Sequence, residues 1–93
     1  MFQSDNTSKF DRDIKKCKKK HWDMSLLRDA MLAILNSDKE PIPAIYNDHS
    51  LVGNHKGHRE LHIGGQKSNW LLTYYLEENV IVFVRTGTHD DIL

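Results

Sequence analysis

The fold is decided by residues 70–85, which read Trp70-Leu71-Leu72-Thr73-Tyr74-Tyr75-Leu76-Glu77-Glu78-Asn79-Val80-Ile81-Val82-Phe83-Val84-Arg85. Both ends of this stretch are rich in β-branched and aromatic residues and alternate loosely, which is typical of strands. Glu77-Glu78-Asn79 between them suits a hairpin turn. A third alternating segment, residues 58–63, comes earlier, with a turn at residues 64–68. The sequence therefore predicts a three-stranded meander, to which residues 2–8 could add a short edge strand.

Two helices are predicted upstream of the meander. In residues 9–21 the apolar or semi-apolar positions are spaced by four, three and four residues, as on one stripe of an amphipathic helix: Phe10, Ile14, Cys17 and His21. Asp23 can cap a second helix, which ends near Asn36. Pro41 and Pro43 then forbid further helix.

Length and composition limit the class of protein. A chain of 93 residues is expected to form one domain, residues 1–93, and 39% hydrophobic residues are enough for a globular core. No segment approaches the roughly 18 apolar residues that span a membrane, and the N-terminus lacks the basic and apolar segments of a secretory signal. Cys17 is the only cysteine, so no internal disulfide is expected. These features fit a cytoplasmic protein without a membrane partner.

The charges are balanced overall but unevenly distributed. Thirteen basic and thirteen acidic residues give a net charge of zero, which argues against binding nucleic acid through bulk charge alone. Residues 15–20, however, read Lys-Lys-Cys-Lys-Lys-Lys, with five positive charges in six positions. Such a local patch can contact phosphates, and it can equally be the solvated face of a helix.

Histidines are concentrated in the second half of the chain. Five of the six lie there: His49, His55, His58, His62 and His89. Histidine is the side-chain type whose ordinary pKa lies near neutrality, so a cluster of this kind suggests proton transfer or metal binding.

Strand alternation divides the polar residues of segment 58–63 between two faces. His58, Glu60 and His62 share one face. Arg59 faces the other, core side, unless a bulge at Gly57 re-aims it. An arginine on the core side needs a counter-charge. Its environment is therefore predicted to be either an ion pair or a phosphate site.

Four motifs occur in order along the second half: Asp48-His49-Ser50-Leu51-Val52-Gly53, Gly57-His58-Arg59-Glu60-Leu61-His62, Trp70-Leu71-Leu72-Thr73-Tyr74 and Arg85-Thr86-Gly87-Thr88-His89. Together they closely resemble the YafQ branch of the RelE superfamily of ribosome-dependent mRNA interferases. Lys20-His21-Trp22-Asp23-Met24 and Pro41-Ile42-Pro43-Ala44-Ile45-Tyr46 also match, so the likeness covers roughly residues 10–93. The resemblance implies a RelE-like α+β fold, in which two N-terminal helices pack on a twisted, mainly antiparallel sheet.

The resemblance also implies an activity and partners. It implies a toxin that cleaves mRNA in the ribosomal A site without a metal or other cofactor. A cognate antitoxin would neutralise the toxin, and the complex of the two would repress its own operon. The direct partners would then be the antitoxin, the ribosome and mRNA. Operator DNA would be contacted only through the antitoxin complex.

The family's catalytic positions correspond here to His49, Glu60, His62, Asn69 and His89, with Arg59 as a phosphate ligand. Cleavage through the RNA 2′-hydroxyl needs a base, an acid and positive charge at phosphorus. We assign the acid and base roles to His49 and His89, in either order. A turn at residues 86–88 would project His89 toward RNA, and His62 would orient or stabilise. Glu60 would set a histidine tautomer, and Arg59 would hold phosphate.

RNA contacts are predicted at seven positions, of which Asn69 has already been named: Lys16, Lys19, Lys20, Lys56, Asn69, Arg85 and Leu93. For Arg85 a structural ion pair is an equal alternative. Asn69 stands where the family usually has an aspartate, and it cannot act as a base. The turn after His62 is longer than in relatives, and Leu93 replaces a C-terminal aromatic residue that would stack on a base.

Two other classes of function remain open. His55, His58 and His62 could bind zinc, which would then supply the nucleophile. Against this, the sequence has no CxxC, no HExxH and no second cysteine. The departures at Asn69 and Leu93 also allow a catalytically weak or inactive homologue, which would act as an antitoxin-binding and corepressor module.

Overall fold

The structure, a computed structural model, describes residues 1–92, apart from the side chain of Asn54. Within those residues the regular elements are, in chain order, β1 (Gln3–Asn6), α1 (Ser8–Lys19), α2 (Met24–Leu35), β2 (His49–Ser50), β3 (Arg59–His62), β4 (Trp70–Glu77), β5 (Val80–Thr88) and α3 (His89–Ile92). Two short 3-10 helices, Ala44–Tyr46 and Gly53–His55, lie between α2 and β3. None of the helices in this described part of the chain is long and apolar enough to cross a membrane.

The strands of residues 1–92 form one sheet in the order β1-β5-β4-β3-β2. β3, β4 and β5 are the predicted meander, and β2 extends it with another antiparallel pair. β1 pairs with β5 in parallel. The turn between β4 and β5 has Glu78 at its tip with φ of 56°. The predicted α+β class with a mainly antiparallel sheet is confirmed.

Both long helices begin at a side chain that caps them. Thr7 Oγ1 accepts a hydrogen bond from the backbone N–H of Phe10 at the start of α1. At the start of α2, Asp23 Oδ1 accepts one from the N–H of Ser25, as its position before the helix predicts. Each cap supplies an acceptor to an N–H that has no partner inside the helix.

The two long helices cover one face of the sheet, which we call the helix face. Phe10 of α1 stacks on Phe83 of β5 with ring centroids 5.6 Å apart. The other buried core residues are Cys17, Leu27, Ala30, Ile34, Leu61, Ile63, Trp70, Leu72, Tyr74 and Ile81. Each large apolar side chain buried here stabilises the fold by about 1.5–3 kcal/mol. The core therefore determines which face of each strand remains available for a functional site.

The end of β5 differs from the prediction. Residues 86–88 belong to the strand and do not form a turn, because Gly87 pairs with Leu71 of β4. A Cβ at Gly87 would lie 3.2 Å from Cγ2 of Ile92, so α3 packs closely over the strand at this point. The glycine thus permits the close approach of α3, where the sequence suggested a turn.

Candidate active site

The side of the sheet opposite α1 and α2, which we call the histidine face, carries His49, Glu60 and His62. His49 of β2 pairs directly with Glu60 of β3, and directly opposed residues share a face. Glu60 and His62 are two residues apart on one strand, so they share that face as predicted. The imidazole centroids of His49 and His62 are 5.9 Å apart. Neighbouring strands thus bring two predicted histidines and the predicted carboxylate together.

Backbone carbonyl groups hold both imidazoles at the same ring nitrogen. Nδ1 of His49 lies 2.7 Å from the carbonyl oxygen of Asn47. Nδ1 of His62 lies 2.9 Å from the carbonyl oxygen of Ser68. A carbonyl oxygen can only accept, so Nδ1 carries a proton in each ring and Nε2 is left to give or take one. These two loop carbonyls therefore set the tautomers, a role that the sequence assigned to Glu60.

The Glu60 carboxylate is buried, with 6% of the residue exposed. Its Oε1 lies 3.5 Å from Nε2 of His49. Because Nδ1–H of His49 is already committed to Asn47, the ring can donate to Glu60 through Nε2 only when it is protonated. Within the described chain, Oε2 of Glu60 has no hydrogen-bond partner. A buried oxygen without a partner is uncommon, and it is where a bound group would complete the site.

A row of paired residues leads from β3 to the last strand. His62 pairs with Leu71, and Leu71 pairs with Gly87, which places Gly87 about 10 Å from His62 at two strand spacings. His89 follows as the first residue of α3 and is exposed. Its backbone N–H donates to Oδ1 of Asn69 at 3.4 Å. His89 and Asn69 therefore lie at the same end of the sheet as His62.

Arg59 lies on the helix face, as alternation predicts, and is not gathered with the histidines. Its Nε and Nη2 donate to Oδ2 of Asp48 at 3.0 and 2.8 Å, and its Nη1 donates to Oγ of Ser50 at 2.8 Å. The hydroxyl of Tyr74 donates to the other oxygen of Asp48. Hydrogen bonding to Asp48 raises the pKa of Arg59, and burial, followed by Asp48, raises the pKa of Tyr74. Of the two predicted environments, the structure shows the ion pair.

Arg85 is also engaged in an ion pair. A β-bulge interrupts the alternation between β4 and β5 near this residue. Nε of Arg85 donates to Oδ2 of Asp13 at 2.8 Å, and the same oxygen accepts from the N–H of Thr86 at 3.1 Å. Asp13 is buried in α1, and sequence reasoning missed it. The signal was a carboxylate next to the apolar stripe of a helix, where it needs a partner.

The lysines proposed for RNA binding are exposed. Lys16 and Lys19 belong to α1, and Lys56 lies just before β3. Lys20 follows α1, where its Nζ lies 3.3 Å from Oδ2 of Asp91 and 4.9 Å from the ring centroid of Trp22. The remaining predicted contact, Leu93, lies outside the described residues.

The zinc alternative requires His55, His58 and His62 to converge. The rings of His55 and His58 are 6.2 Å apart, and His58 stacks on Tyr75 with centroids 5.0 Å apart. His62 is instead held by Ser68. Among residues 1–92 no three His, Cys, Asp or Glu side chains are placed to hold a metal ion. The three histidines therefore do not converge as the zinc alternative requires.

Comparison with known proteins decides the family. The model of a family described as "Bacterial toxin of type II toxin-antitoxin system, YafQ" matches residues 2–93. The chain belongs to the YafQ family. A relative from Escherichia coli K12, mRNA interferase toxin YafQ, is 37% identical over 83 residues, which are 89% of this chain and 86% of the relative.

Solved structures of YafQ and of another bacterial toxin have the same fold. The crystal structure of YafQ from E. coli BL21(DE3) matches with a TM-score of 0.88 at 32% identity, over 100% of this chain and 99% of that one. The toxin in the E. coli DinJ-YafQ toxin-antitoxin complex matches with a TM-score of 0.86 at 34% identity, over 99% and 97%. A metal-bound toxin from Helicobacter pylori matches with a TM-score of 0.86 at 32% identity, over 100% of both. The predicted YafQ resemblance and fold are confirmed.

Proposed function

We propose that this YafQ-family toxin is a ribosome-dependent endoribonuclease that cleaves mRNA in the ribosomal A site with its own acid and base side chains. Membership of the family, whose E. coli relative is named mRNA interferase toxin YafQ, supports the class of activity. The observation that carries the mechanism is the arrangement of His49 and His62. Both rings are held at Nδ1, beside the buried Glu60 carboxylate.

The reaction needs two proton transfers. The 2′-oxygen attacks the adjacent phosphorus and the bond to the 5′-oxygen breaks, which leaves a 2′,3′-cyclic phosphate and a 5′-hydroxyl. One group takes the proton of the 2′-hydroxyl, and another supplies a proton to the leaving oxygen. His49 donates to Glu60 only as a protonated ring, which is the form that a general acid needs. We therefore assign the acid role to His49 and the base role to His89.

The remaining site residues support these two groups. We assign to His62, whose ring is fixed at Nδ1 by Ser68, the role of stabilising in its protonated form the negative charge that develops at phosphorus. Glu60 balances the charge of a protonated His49. Arg59 receives a positioning role, because its guanidinium binds Asp48 and Ser50, the two residues that flank His49.

We further propose the partners that this activity requires. A cognate antitoxin neutralises the toxin, as the toxin–antitoxin complex of the E. coli relative suggests. The ribosome presents the mRNA, with exposed cations such as Lys16, Lys19 and Lys56 available to RNA phosphates. Operator DNA is reached only through the antitoxin complex.

Primer extension on mRNA with translating ribosomes tests the proposal. The toxin is treated with a strong chelator and desalted before use, so that the ribosomes keep their magnesium. We expect cleavage at the wild-type rate with ribosomes and little cleavage of naked mRNA. Stoichiometric zinc in the purified toxin, lost together with activity on chelation, would replace the proposal by a metal mechanism. No cleavage under any condition would favour the corepressor module.

A further inference from the structure

A pocket of about 460 Å³ opens between the start of α2 and the paired ends of β4 and β5. Its volume falls within the roughly 300–1,000 Å³ of small-ligand sites. Two indole rings, Trp22 and Trp70, and the side chain of Leu26 form its apolar part. None of the proposed proton transfers uses these three side chains.

Trp22 owes its position to the way α1 ends. His21 takes a left-handed backbone conformation with φ of 60°. The N–H groups of His21 and Trp22 donate to the carbonyl oxygens of Lys18 and Cys17 at 3.0 and 3.2 Å. This is the Schellman pattern, which turns the chain sharply at a helix end. It holds the Trp22 ring against Trp70, with centroids 4.9 Å apart and an interplanar angle of 55°.

The pocket also has polar walls, to which Asp23, Ser68, Asn69 and Thr88 contribute. Asp23 Oδ1 accepts hydrogen bonds from Ser25, and Oδ2 is a second acceptor. The hydrogen bonds from Ser25 hold the pKa of Asp23 below its ordinary value, so the carboxylate is charged at neutral pH. Flat apolar walls beside polar side chains match a nucleobase, which has two flat faces and a polar edge.

The pocket shares residues with the candidate active site. The carbonyl of Ser68 holds His62, Asn69 accepts from the N–H of His89, and Thr88 directly precedes His89. Lys20 lies over the Trp22 ring and adds a positive charge. The pocket therefore lies at the same end of the sheet as His62 and His89, and a base bound in it would belong to the RNA strand held there.

We propose that this pocket binds one unpaired nucleobase of the RNA substrate against Trp22 and Trp70, and that Asp23 selects a base with an exocyclic amino group over uracil. The inference rests on the proposed function, because it takes RNA as the substrate. Adenine, cytosine and guanine carry an amino group that donates to a carboxylate. Uracil offers a single donor, its N3–H, flanked by two carbonyl oxygens that a carboxylate repels. An apolar side chain of a protein partner would leave the acceptor Asp23 unmatched.

Tryptophan fluorescence gives a direct test, since Trp22 and Trp70 are the only two tryptophans. The probes are 2′-deoxy tetramers of adenine, cytosine or uracil, which lack the attacking hydroxyl and cannot be cleaved. Cytosine and uracil differ at the group that Asp23 would read. We expect the adenine and cytosine tetramers to quench the fluorescence, and the uracil tetramer to bind about 10-fold more weakly.

Substitutions at two positions, Trp22 and Asp23, separate stacking from selection. Trp22→Leu should lower the affinity for every tetramer by roughly 10-fold, with Trp70 as the remaining fluorescent reporter. Trp22→Phe should retain most of the affinity. Asp23→Asn keeps a good helix cap and should bring the ratio of cytosine to uracil affinity close to one. Leu76→Ala, an exposed apolar residue away from the pocket, is the matched control and should change nothing.

The same proteins are then compared in ribosome-dependent cleavage of an mRNA library that varies the bases around the cut. Cleavage by Asp23→Asn should discriminate less against uracil. No quenching by any tetramer, or equal affinities for cytosine and uracil in the wild type, would overturn the inference. Quenching by an antitoxin peptide alone would reassign the pocket to the antitoxin. Tetramer binding without any cleavage would instead support base binding in the pocket and contradict the proposed nuclease activity.

Discussion

His89 is exposed at the first residue of α3, where Asn69 holds its backbone N–H. His89→Gln keeps a side chain of similar size that forms hydrogen bonds, but it cannot take up a proton at neutral pH. If His89 is the base, cleavage of ribosome-bound mRNA should fall by on the order of 10²-fold or more. Primer extension at saturating toxin measures this change.

A matched control for His89→Gln is His55→Gln, which alters another exposed histidine. It should cleave at the wild-type rate. The melting temperature and antitoxin affinity of His89→Gln should stay nearly unchanged, because the side chain is exposed. Wild-type cleavage by His89→Gln would show that the base is another group.

At the scale of residues, local pattern predicts which side chains share a face. Strand alternation placed Glu60 with His62 and set Arg59 opposite, because the two-residue period depends only on neighbours. The groups that hold those side chains were not predictable. The carbonyl of Ser68 comes from a loop, and Asp13 meets Arg85 from 72 positions away in the chain.

At the scale of elements, β2 has only two residues, and Arg59 of β3 is bound to both Asp48 and Ser50 beside His49. Arg59→Ala should release β2 and misplace His49. We expect kcat to fall by roughly 10- to 100-fold with little change in KM, because a displacement of about 1 Å can cost that much. Single-turnover cleavage over a range of ribosome concentrations separates the two constants.

The conservative variant Arg59→Lys should recover only part of the lost rate. It keeps a charge beside Asp48 but loses the fork that reaches two partners. A direct phosphate contact predicts the reverse pattern for Arg59→Ala, with a higher KM and a weaker dependence of binding on salt. That result would support the phosphate-binding role that the sequence predicts for Arg59.

The long elements were predictable, whereas β2 and α3 were not. α1, α2 and the meander each carry several turns or alternations of pattern. β2 and α3 have two and four residues, which is too few for either period to show. Pairing with Arg59 and Glu60 creates β2, and packing over Gly87 places α3. Both depend on contacts that a local pattern does not contain.

At the scale of the whole molecule, zero net charge coexists with exposed lysines on α1. If an acidic antitoxin segment docks there, the association rate constant should fall roughly 10-fold or more between low and high salt. Lys16→Gln combined with Lys19→Gln should slow association and flatten that dependence, with a small effect on dissociation. Stopped-flow mixing with the antitoxin measures both rate constants.

The control for the lysine pair is Lys39→Gln, an exposed lysine that follows α2. It should leave association unchanged. If the association rate constant changes neither with salt nor in the Lys16 and Lys19 double variant, the antitoxin binds another surface. A toxin that is harmless when expressed and captures no small partner would argue against the toxin–antitoxin assignment itself.

The position of β5 in the sheet has a consequence for how the protein is made. β5 is the last strand among residues 1–92, yet it lies between β1 and β4. Until it has been synthesised and has left the ribosome, β1 has no neighbour and Phe10 has no Phe83 to stack on. The core therefore closes only after β5 has emerged, and His89 follows β5. A toxin proposed to attack ribosomes during translation thus lacks both its closed core and its proposed base until its residues up to His89 have been made.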